Sequence, residues 1–449
     1  MENEIDTMNY AKLSNILDNH MIPKYWLIII IGAIGGFLVG YDAGIIGSAI
    51  IYVPFKLSTI QYAVAISGTG GVAAIGAFTA GPLIERYGRK ALLIADGIIF
   101  AIFALLGAFS TDTLMFLISR IGIGYAVGAD FAVAPVYISE LAPMSRRGRL
   151  DMIQQIMIFV SGVIAFGVGF ALSGLPSSIN WRWMIGIGAF PAVVLAGLRF
   201  YLPESPRWLA VHNKVDHLRK SLNFLGIEMK GKFEVGNVPE FKYRFNRRAI
   251  MIVGLWVFFE IASGINVFLY YGPTIFVHLG FTGSRAILST LILDAIASIG
   301  FVLAYFIIDK TIKKLALIGF IGMFIGMLLL ATGSSFVHLF SGIALMFVGI
   351  LFFFFFFQMA MGNSEMVLIG TALPTATRGI GGGIFAGIAW ATSFAITFIF
   401  PLWEAAYGFT SFAILEAILC IGGIIWTILM LPELANKPID SISQMYKTE

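Results

Sequence analysis

Long apolar stretches recur along the whole chain, and short polar segments separate each stretch from the next. A helix that crosses the hydrocarbon core of a bilayer needs about 20 mainly apolar residues, and twelve stretches are close to that length. The pattern therefore predicts twelve membrane-spanning helices. Their predicted bounds are 25–51, 60–84, 90–110, 113–138, 152–173, 181–201, 249–277, 284–308, 314–332, 337–370, 378–402 and 408–431.

One long polar stretch divides the twelve predicted helices into two groups of six. Residues 202–248 have the charge density of a solvated segment, whereas residues 1–201 and 249–449 hold six predicted helices each. We therefore predict an N-terminal bundle, a cytoplasmic linker and a C-terminal bundle that ends in a short cytoplasmic tail.

Lys and Arg are distributed unevenly over the predicted loops. With the N-terminus placed in the cytoplasm, the outer loops hold only Lys56, Arg182 and Arg285. The inner loops hold many more: Arg86, Arg89, Lys90, Arg146, Arg147, Arg149, Lys310, Lys313, Lys314, Arg378 and a dense set from Arg207 to Arg248. Because the cytoplasmic loops of membrane proteins carry an excess of Lys and Arg, this bias predicts that both termini face the cytoplasm. The first apolar stretch is long enough to span and no small-residue cleavage site follows it, so we interpret it as a retained helix.

The composition agrees with a membrane protein. Hydrophobic residues make up 59% of the chain and charged residues only 12%, which is too little charge to keep a soluble domain in solution. The surplus apolar surface must face lipid, so we expect a multi-pass protein of the cell membrane, and we expect a monomer.

Several other classes of function find no support in the sequence. The formal charge of +4 gives no indication of nucleic-acid binding, and the single Cys420 excludes an intrachain disulfide or a cysteine-built metal site. No metal-ligand cluster, nucleophile–base pair or phosphate-binding loop occurs among the predicted helices. We therefore predict no metal, no cofactor and no enzymatic activity.

The two halves repeat short motifs at matching places, after the second, fourth and sixth helix of each half. Parallel repeats of six helices are the architecture of major facilitator transporters, in which the substrate binds between the halves near the midplane. The paired motifs are Glu85 to Lys90 with Asp309 to Lys314, Arg147-Gly148 with Arg378-Gly379, and Pro203-Glu204 with Pro432-Glu433.

Further motifs resemble those of the sugar porter family of this superfamily. The resemblance covers nearly the whole chain, and it implies an all-α major facilitator fold with twelve transmembrane helices in two pseudo-symmetric six-helix bundles. It also implies a secondary active transporter that moves a sugar or sugar-like solute by alternating access. The motifs are Pro203 to Leu209 (PESPRWL) after helix six, Pro135 to Pro143 in helix four, and Ser263 to Asn266 (SGIN) with Tyr270-Tyr271 in helix seven.

An acidic side chain deep in a membrane-spanning helix is costly and is therefore a candidate functional residue. Asp42 in helix one and Arg120 in helix four both lie about 10–12 Å below the outer surface, at 1.5 Å per residue, so an ion pair is plausible. The pair could be static, or Asp42 could hold and release a proton as Arg120 moves. In proton-coupled sugar porters an Asp opposite this Arg carries the coupling, so the resemblance favours proton symport.

Three other acids allow several interpretations. Glu260 lies near the midplane of helix seven and replaces a Gln of the family motif, Asp130 resembles a position in proton-coupled phosphate porters, and Asp294 matches no motif. Each could be a second proton site, a substrate ligand or a structural acid.

A sugar site needs amide side chains, which both donate and accept hydrogen bonds, and an aromatic face. The resemblance implies Gln155, Asn266 and Trp390 as substrate ligands, and Glu260 is a further candidate. Other amides and an aromatic of the family are replaced by Ala297, Met366 and Ser393. A proton-coupled phosphate or organic-anion porter, or a solute-sensing receptor on a transporter scaffold, therefore remains an alternative.

Two helices carry residues that favour bending during gating. We expect helix seven to break at Gly272-Pro273 and helix one to bend at Gly40 and Gly44.

Charged residues gather at the inner helix ends. They could merely anchor the topology, but the resemblance implies an ion-pair network that ties helices together when the cavity faces outward. Ile312 and Thr371 replace a Gly and a Glu of the family pattern, which predicts an asymmetric gate. The candidate gate residues are Glu85, Arg89, Glu140, Arg147, Glu204, Arg207, Asp309, Lys313 and Arg378.

Overall fold

The computed structural model describes residues 10–19, 24–143, 146–227, 247–336, 338–372 and 378–434, and these residues form helices joined by turns. The helices are α1 Tyr10–Asn19, α2 Tyr25–Ala33, α3 Gly35–Ala49, α4 Thr59–Tyr87, α5 Arg89–Ala108, α6 Thr113–Leu141, α7 Arg147–Leu172, α8 Asn180–Ile187, α9 Ala189–Arg199, α10 Pro206–Val211, α11 Val215–Phe224, α12 Arg247–Ala262, α13 Ile265–His278, α14 Gly283–Ala297, α15 Ile299–Ile307, α16 Ile312–Ser335, α17 Phe340–Phe356, a π-helical turn Phe357–Met361, α18 Gly362–Thr371 and α19 Arg378–Met430.

Eleven helical segments in this part of the chain are long and apolar enough to cross a membrane. The last segment, Gly379–Met430, has 52 residues, which is about twice the length that one crossing needs. It turns at Gly408, whose φ of 79° lies in the left-handed region that favours glycine. Because α19 supplies two crossings, the described helices account for the twelve predicted spans.

The break in span seven is not where the sequence predicted it. It lies at Ser263-Gly264, between α12 and α13, where Gly264 has a φ of 101°. A Cβ at Gly264 would also lie 3.1 Å from the Glu416 carboxylate. The prediction of a break at Gly272-Pro273 is wrong, because α13 runs through both residues; in a membrane bundle, neighbouring groups can satisfy the carbonyl that a proline frees.

The predicted bend at Gly40 and Gly44 is absent from span one in this arrangement. Ile34 separates α2 from α3 but keeps helical backbone angles, and α3 continues through Gly40 and Gly44. These glycines allow close packing instead, because a Cβ at Gly40 would overlap the carbonyl oxygen of Ile158 on α7. Small residues serve this purpose at helix contacts in membranes.

The outside of the bundle is apolar. Phe190, Phe340 and Leu429 are 74%, 88% and 71% exposed, and many other large apolar side chains share this surface. Exposed apolar area of this extent is unfavourable in water, which agrees with a surface that faces lipid.

The two halves pack closely against each other, and a glycine allows their backbones to approach. A Cβ at Gly383 of α19 would lie 2.7 Å from the carbonyl oxygen of Ala77 on α4. The predicted linker begins with α10 and α11, and residues 228–246 lie outside the described part of the chain. The boundaries of the two bundles at residues 201 and 249 stay predictions.

Candidate functional site

The two ends of the bundle differ in charge, and we name them accordingly. Arg89, Arg149 and Lys313 lie at one end, which we call the basic end. The turns from α3 to α4 and from α5 to α6 lie at the opposite end, which we call the outer end.

A buried ion pair joins α3 to α6. Arg120 Nη1 lies 2.5 Å from Asp42 Oδ1 and Nη2 lies 2.9 Å from Oδ2, while Arg120 Nε donates to the Ala65 carbonyl of α4 at 3.2 Å. The predicted contact is therefore present, in the two-bonded geometry that makes arginine–carboxylate pairs strong. Its role in proton coupling stays a prediction.

A narrow cavity of about 50 Å³ lies between the two halves. Gln155 of α7, Asn266 of α13 and Trp390 of α19 line it, so three of the four predicted substrate ligands come together. Phe131 of α6 packs edge-on against Trp390, with ring centroids 5.6 Å apart. The two halves thus build one shared wall of amide and aromatic groups.

Several polar atoms on this wall have no hydrogen-bond partner within the described protein. A buried polar atom without a partner costs about 1–3 kcal/mol, so these atoms favour a ligand that can satisfy them. Indole N–H donates, the amide oxygen accepts and a hydroxyl does both, which suits a polyhydroxylated solute. The atoms are Gln155 Oε1, Glu365 Oε1, Trp390 Nε1 and Ser393 Oγ.

Glu260, the fourth predicted ligand, is not on the cavity wall that the described residues form. It lies buried at the end of α12, just before the break at Ser263-Gly264, and neither carboxyl oxygen has a hydrogen-bond partner in the described chain. The charge that acts on it is that of Glu365, which does line the cavity.

The π-helical turn precedes Glu365 and changes the direction of the side chains that follow it, as such turns often do at functional sites. Asn363 Nδ2 donates to the Gln358 carbonyl at 2.8 Å. Gln358 Nε2 in turn donates to Asp294 Oδ1 at 2.7 Å. The carboxyl of Asp294 is thus held by an amide, and Asp294 is not among the described cavity-lining residues.

Asp130 belongs to a separate polar cluster inside the N-terminal bundle. Arg199 of α9 donates to both Asp130 of α6 and Asp96 of α5, and also to the Leu93 carbonyl at 2.5 Å. All three charged side chains are buried. Asp130 is therefore engaged away from the central cavity.

A wider cavity of about 520 Å³ lies at the outer end. Tyr62, Tyr271 and Glu404 line it, and Tyr62 Oη lies 3.1 Å from the hydroxyl of Thr274, which joins the two halves. His278 Nδ1 lies 3.5 Å from Glu404 Oε1 on the same wall.

Arg89 is the centre of the ion pairs at the basic end. Its Nη2 donates to Glu140 Oε1 at 2.7 Å, its Nε to Oε2 at 3.1 Å and its Nη1 to Glu85 Oε2 at 3.4 Å. Ser205 Oγ adds a bond to Glu140 at 2.6 Å. Three spans of the N-terminal half and the segment that follows its sixth span are tied together here.

Glu204 caps the start of α5. Its carboxylate accepts from the backbone N–H groups of Arg89 at 2.9 Å, Lys90 at 3.1 Å and Ser205 at 2.8 Å. Burial raises the pKa of Glu204, and these hydrogen bonds together with the Arg89 charge act in the opposite direction.

Arg207 ties the N-terminal segment to this end of the bundle. Its Nη2 donates to Asp18 at 2.8 Å, its Nη1 to Ser14 at 2.7 Å and its Nε to the Glu140 carbonyl at 3.0 Å. The PESPRWL motif therefore holds α1 as well as the Arg89 cluster.

Several contacts cross between the halves at the basic end. Glu85 Oε1 accepts from the Gly379 N–H at 3.0 Å, and Arg149 Nε lies 2.8 Å from Asp309 Oδ2. Arg149 also donates to the Tyr305 carbonyl at 3.1 Å. These contacts close the basic end in this arrangement.

The second half repeats the cap of α5. Glu433 accepts from the Ile312 N–H at 2.8 Å and from Thr311 Oγ1 at 2.6 Å, at the start of α16. Lys313 Nζ donates to the Ile428 carbonyl at 2.9 Å, as Lys90 does to a carbonyl in the first half. The side chains of Arg147 and Arg378, and of Thr371, lie outside the described part of the structure.

Sequence reasoning missed several residues of these sites. Glu365, Asp96 and Glu416 carry the same signal that identified Glu260, an ionisable group inside a span. Arg149 has no comparable signal, because its partner Asp309 is brought to it only when the halves dock.

Comparison with known proteins identifies the family. A family model described as "Sugar (and other) transporter" matches residues 28–446. A D-xylose transporter of Levilactobacillus brevis is 32% identical over 429 residues, which cover 92% of this chain and 93% of that protein. An arabinose-proton symporter of Bacillus subtilis is 31% identical over 455 residues, covering 95% and 96%.

A solved structure shows the same fold. The proton:xylose symporter of the major facilitator superfamily, bound to 6-bromo-6-deoxy-D-glucose, matches with a TM-score of 0.82 and 24% identity, over 94% of this chain and 99% of that one. The predicted all-α fold with two six-helix bundles is thereby confirmed. The chain belongs to the sugar (and other) transporter family of the major facilitator superfamily and is a multi-pass membrane transporter.

Proposed function

We propose that the chain is a proton-coupled symporter, not an enzyme, that moves a sugar or sugar-like solute by alternating access. The observation that carries this proposal is the shared cavity, where Gln155, Asn266 and Trp390 meet. Gln155 Oε1 and Trp390 Nε1 have no hydrogen-bond partner there in the described chain. The relatives named as a D-xylose transporter and an arabinose-proton symporter support the same solute class.

The charged contacts fit the coupling cycle that we propose. With Asp42 ionised, its pair with Arg120 holds α3 against α6. A proton from outside removes the charge and weakens the pair, so that the helices can close over bound solute. At the basic end, the Arg89 cluster and the Arg149–Asp309 contact hold the halves together while the outer end is open.

We also propose the orientation and setting of the protein. The basic end faces the cytoplasm because of the positive-inside rule, which places both termini there. The exposed apolar belt contacts the lipid bilayer, and the solute path lies within one chain, so a monomer suffices.

The alternative of a phosphate porter loses its main support in this geometry. Asp130, which prompted it, contacts Arg199 inside the N-terminal bundle and not the central cavity. We therefore propose no anion substrate and no sensor role.

The test is counterflow in proteoliposomes with labelled solutes. We expect exchange of at least one pentose or hexose, and Asp42→Asn should retain exchange but lose accumulation driven by an imposed pH gradient. Exchange of phosphate or a carboxylate, with none across a broad sugar panel, would contradict the solute class. Accumulation by Asp42→Asn at the wild-type level would contradict the assigned proton site.

A further inference from the structure

Two buried carboxyl groups of the C-terminal half lie within electrostatic reach of each other, and one of them lines the central cavity. Glu365 of α18 is on the cavity wall, and Glu260 of α12 is fully buried behind it, where the charge of Glu365 acts on it. Glu365 shares the wall with Gln155, Trp390 and Ser393, each of which is buried and has a polar atom without a hydrogen-bond partner in the described chain.

No cation within the described residues compensates this pair. Tyr270 is the other titratable group among the described residues of the cavity wall. The helices and turns packed against α18 and α12 carry further charged groups. Apart from Glu416, which is itself an acid without a hydrogen-bond partner in the described chain, those groups are engaged elsewhere or lie at helix ends. These groups are Arg120 with Asp42, Asp130 with Arg199, Glu140 with Arg89, Arg149 with Asp309, Lys313 and Lys314 at the start of α16, Arg247 and Arg248 at the start of α12, His278 with Glu404 at the outer end, and Glu416 beside Gly264. The side chains of Arg147, Asp151 and Arg378 lie outside the description.

Two ionised carboxylates cannot persist together in such a place. Like charges in a dry site repel strongly, and one of two adjacent carboxyls then keeps a proton. Leaving an ion buried without a partner is also costly. The pair therefore holds at least one proton whenever the cavity is closed to water.

We propose that the Glu260–Glu365 pair is a second proton-binding site, which loads when the cavity closes around the solute and releases when the cavity opens. Glu365 connects the pair to the water of the open cavity, and hydration there favours the ionised form. In the closed state the protonated carboxyl can donate a hydrogen bond to a solute hydroxyl. This site acts together with Asp42 and rests on the proposed proton symport.

The test measures the number of protons that move with each solute. With the membrane potential clamped at zero, proteoliposomes accumulate solute until a limit set by the pH difference. At that limit the inside-to-outside ratio of solute concentrations equals the outside-to-inside ratio of proton concentrations raised to the number of coupled protons. For one unit of pH difference we expect about 100-fold accumulation in the wild type, for two protons, and about 10-fold in Glu365→Gln and Glu260→Gln, for one proton. Glu416→Gln is the matched control, because Glu416 is a buried acid of the same bundle away from the cavity wall, and it should keep the wild-type ratio.

Each outcome decides between the hypotheses. A wild-type ratio near 10-fold that neither substitution changes overturns the second site but leaves symport through Asp42 intact. No accumulation in the wild type overturns both. If Glu365→Gln no longer transports, Glu260→Gln decides, because it removes the pair without altering the cavity wall. As a further readout, the infrared band of protonated carboxyls in the wild type should weaken in both variants, and an unchanged band in both contradicts a proton held by this pair.

Discussion

The two bundles treat buried acids in opposite ways. In the N-terminal bundle, the described acids inside the spans contact arginines: Asp42 contacts Arg120, Asp96 and Asp130 contact Arg199, and Glu85 and Glu140 contact Arg89. In the C-terminal bundle, the described acids inside the spans contact no basic side chain. These acids are Glu260, Asp294, Glu365 and Glu416.

This difference corresponds to two ways of lowering the free-energy cost of a carboxyl group inside a membrane. A guanidinium stabilises an ionised carboxylate, and the pair then fixes two helices relative to each other. Without a nearby cation, the carboxyl group avoids the cost of burying a charge by keeping its proton. The N-terminal bundle thus provides charged contacts that can form and break, whereas the C-terminal bundle provides groups that can store protons.

The largest effect should follow removal of one partner of a buried pair. Arg120→Leu leaves Asp42 buried and uncompensated, which should lower the free energy of unfolding by about 3–5 kcal/mol. Adding Asp42→Asn should restore most of this loss. Unfolding by SDS, followed by circular dichroism, provides the measurement. Equal instability of the single and the double variant would show that Arg120 acts through packing and not through its charge.

A smaller effect should follow loss of the Arg89 ion pairs, which join spans of the first half at the basic end. Arg89→Ala frees Glu140 and should shift the balance toward the state open at the basic end by about 1–3 kcal/mol, the usual range for such coupling. The readout is thiol labelling, from the basic side, of a cysteine placed by Ala142→Cys. Lys313→Ala, which removes only a contact with the Ile428 carbonyl at the same end of the second half, is the control and should leave labelling low. Similar labelling in both variants would reduce Arg89 to a topological anchor.

The sequence predicts well how deep a side chain lies in the membrane. It predicts poorly which side chains of other helices lie beside it. Asp42 and Arg120 could be matched because the rise per residue fixes how deep each side chain lies. The contact of Asp130 with Arg199 depends on how α6 and α9 are rotated and packed, which no single span specifies. The break at Ser263-Gly264 was missed for a related reason, since the Glu416 carboxylate against Gly264 comes from a distant span.

The charged motifs of the basic end were predictable because they repeat at matching places in the two halves. The caps by Glu204 and Glu433 follow directly from that repeat. The contacts between the halves, such as Arg149 with Asp309, could not be predicted because they exist in one docked arrangement only.

The third effect in order of size is expected at Glu204, a buried acid that caps the start of α5 and lies outside the membrane-spanning segments. Glu204→Gln leaves one acceptor oxygen where the carboxylate has two, so one of the three backbone N–H groups loses its acceptor, which should cost about 1 kcal/mol near neutral pH. Burial raises the pKa of Glu204 from its ordinary value of 4.5, so the folded state binds this proton more tightly than the unfolded chain. Folding stability should therefore fall as the pH rises from 4.5 through the folded-state pKa, and this slope should be absent in Glu204→Gln.

Unfolding measured at a series of pH values between about 4 and 7 tests this sign. Glu433→Gln, which alters the equivalent cap of α16, is the matched variant and should keep the slope due to Glu204. A slope that survives in Glu204→Gln would assign the pH dependence to another acid.

The smallest effect should come from Glu416→Gln, which tests the comparison of the two bundles most directly. Glu416 is fully buried, and neither of its carboxyl oxygens has a hydrogen-bond partner in the described chain. If the group is already a neutral acid, an amide of the same shape removes no charge and breaks no contact, so unfolding should change by less than about 0.5 kcal/mol. Asp42→Asn, by contrast, leaves Arg120 as an uncompensated buried cation and should cost several times more. A large loss in Glu416→Gln would mean that the C-terminal bundle holds an ionised carboxylate after all, and the division of roles between the bundles would then fail.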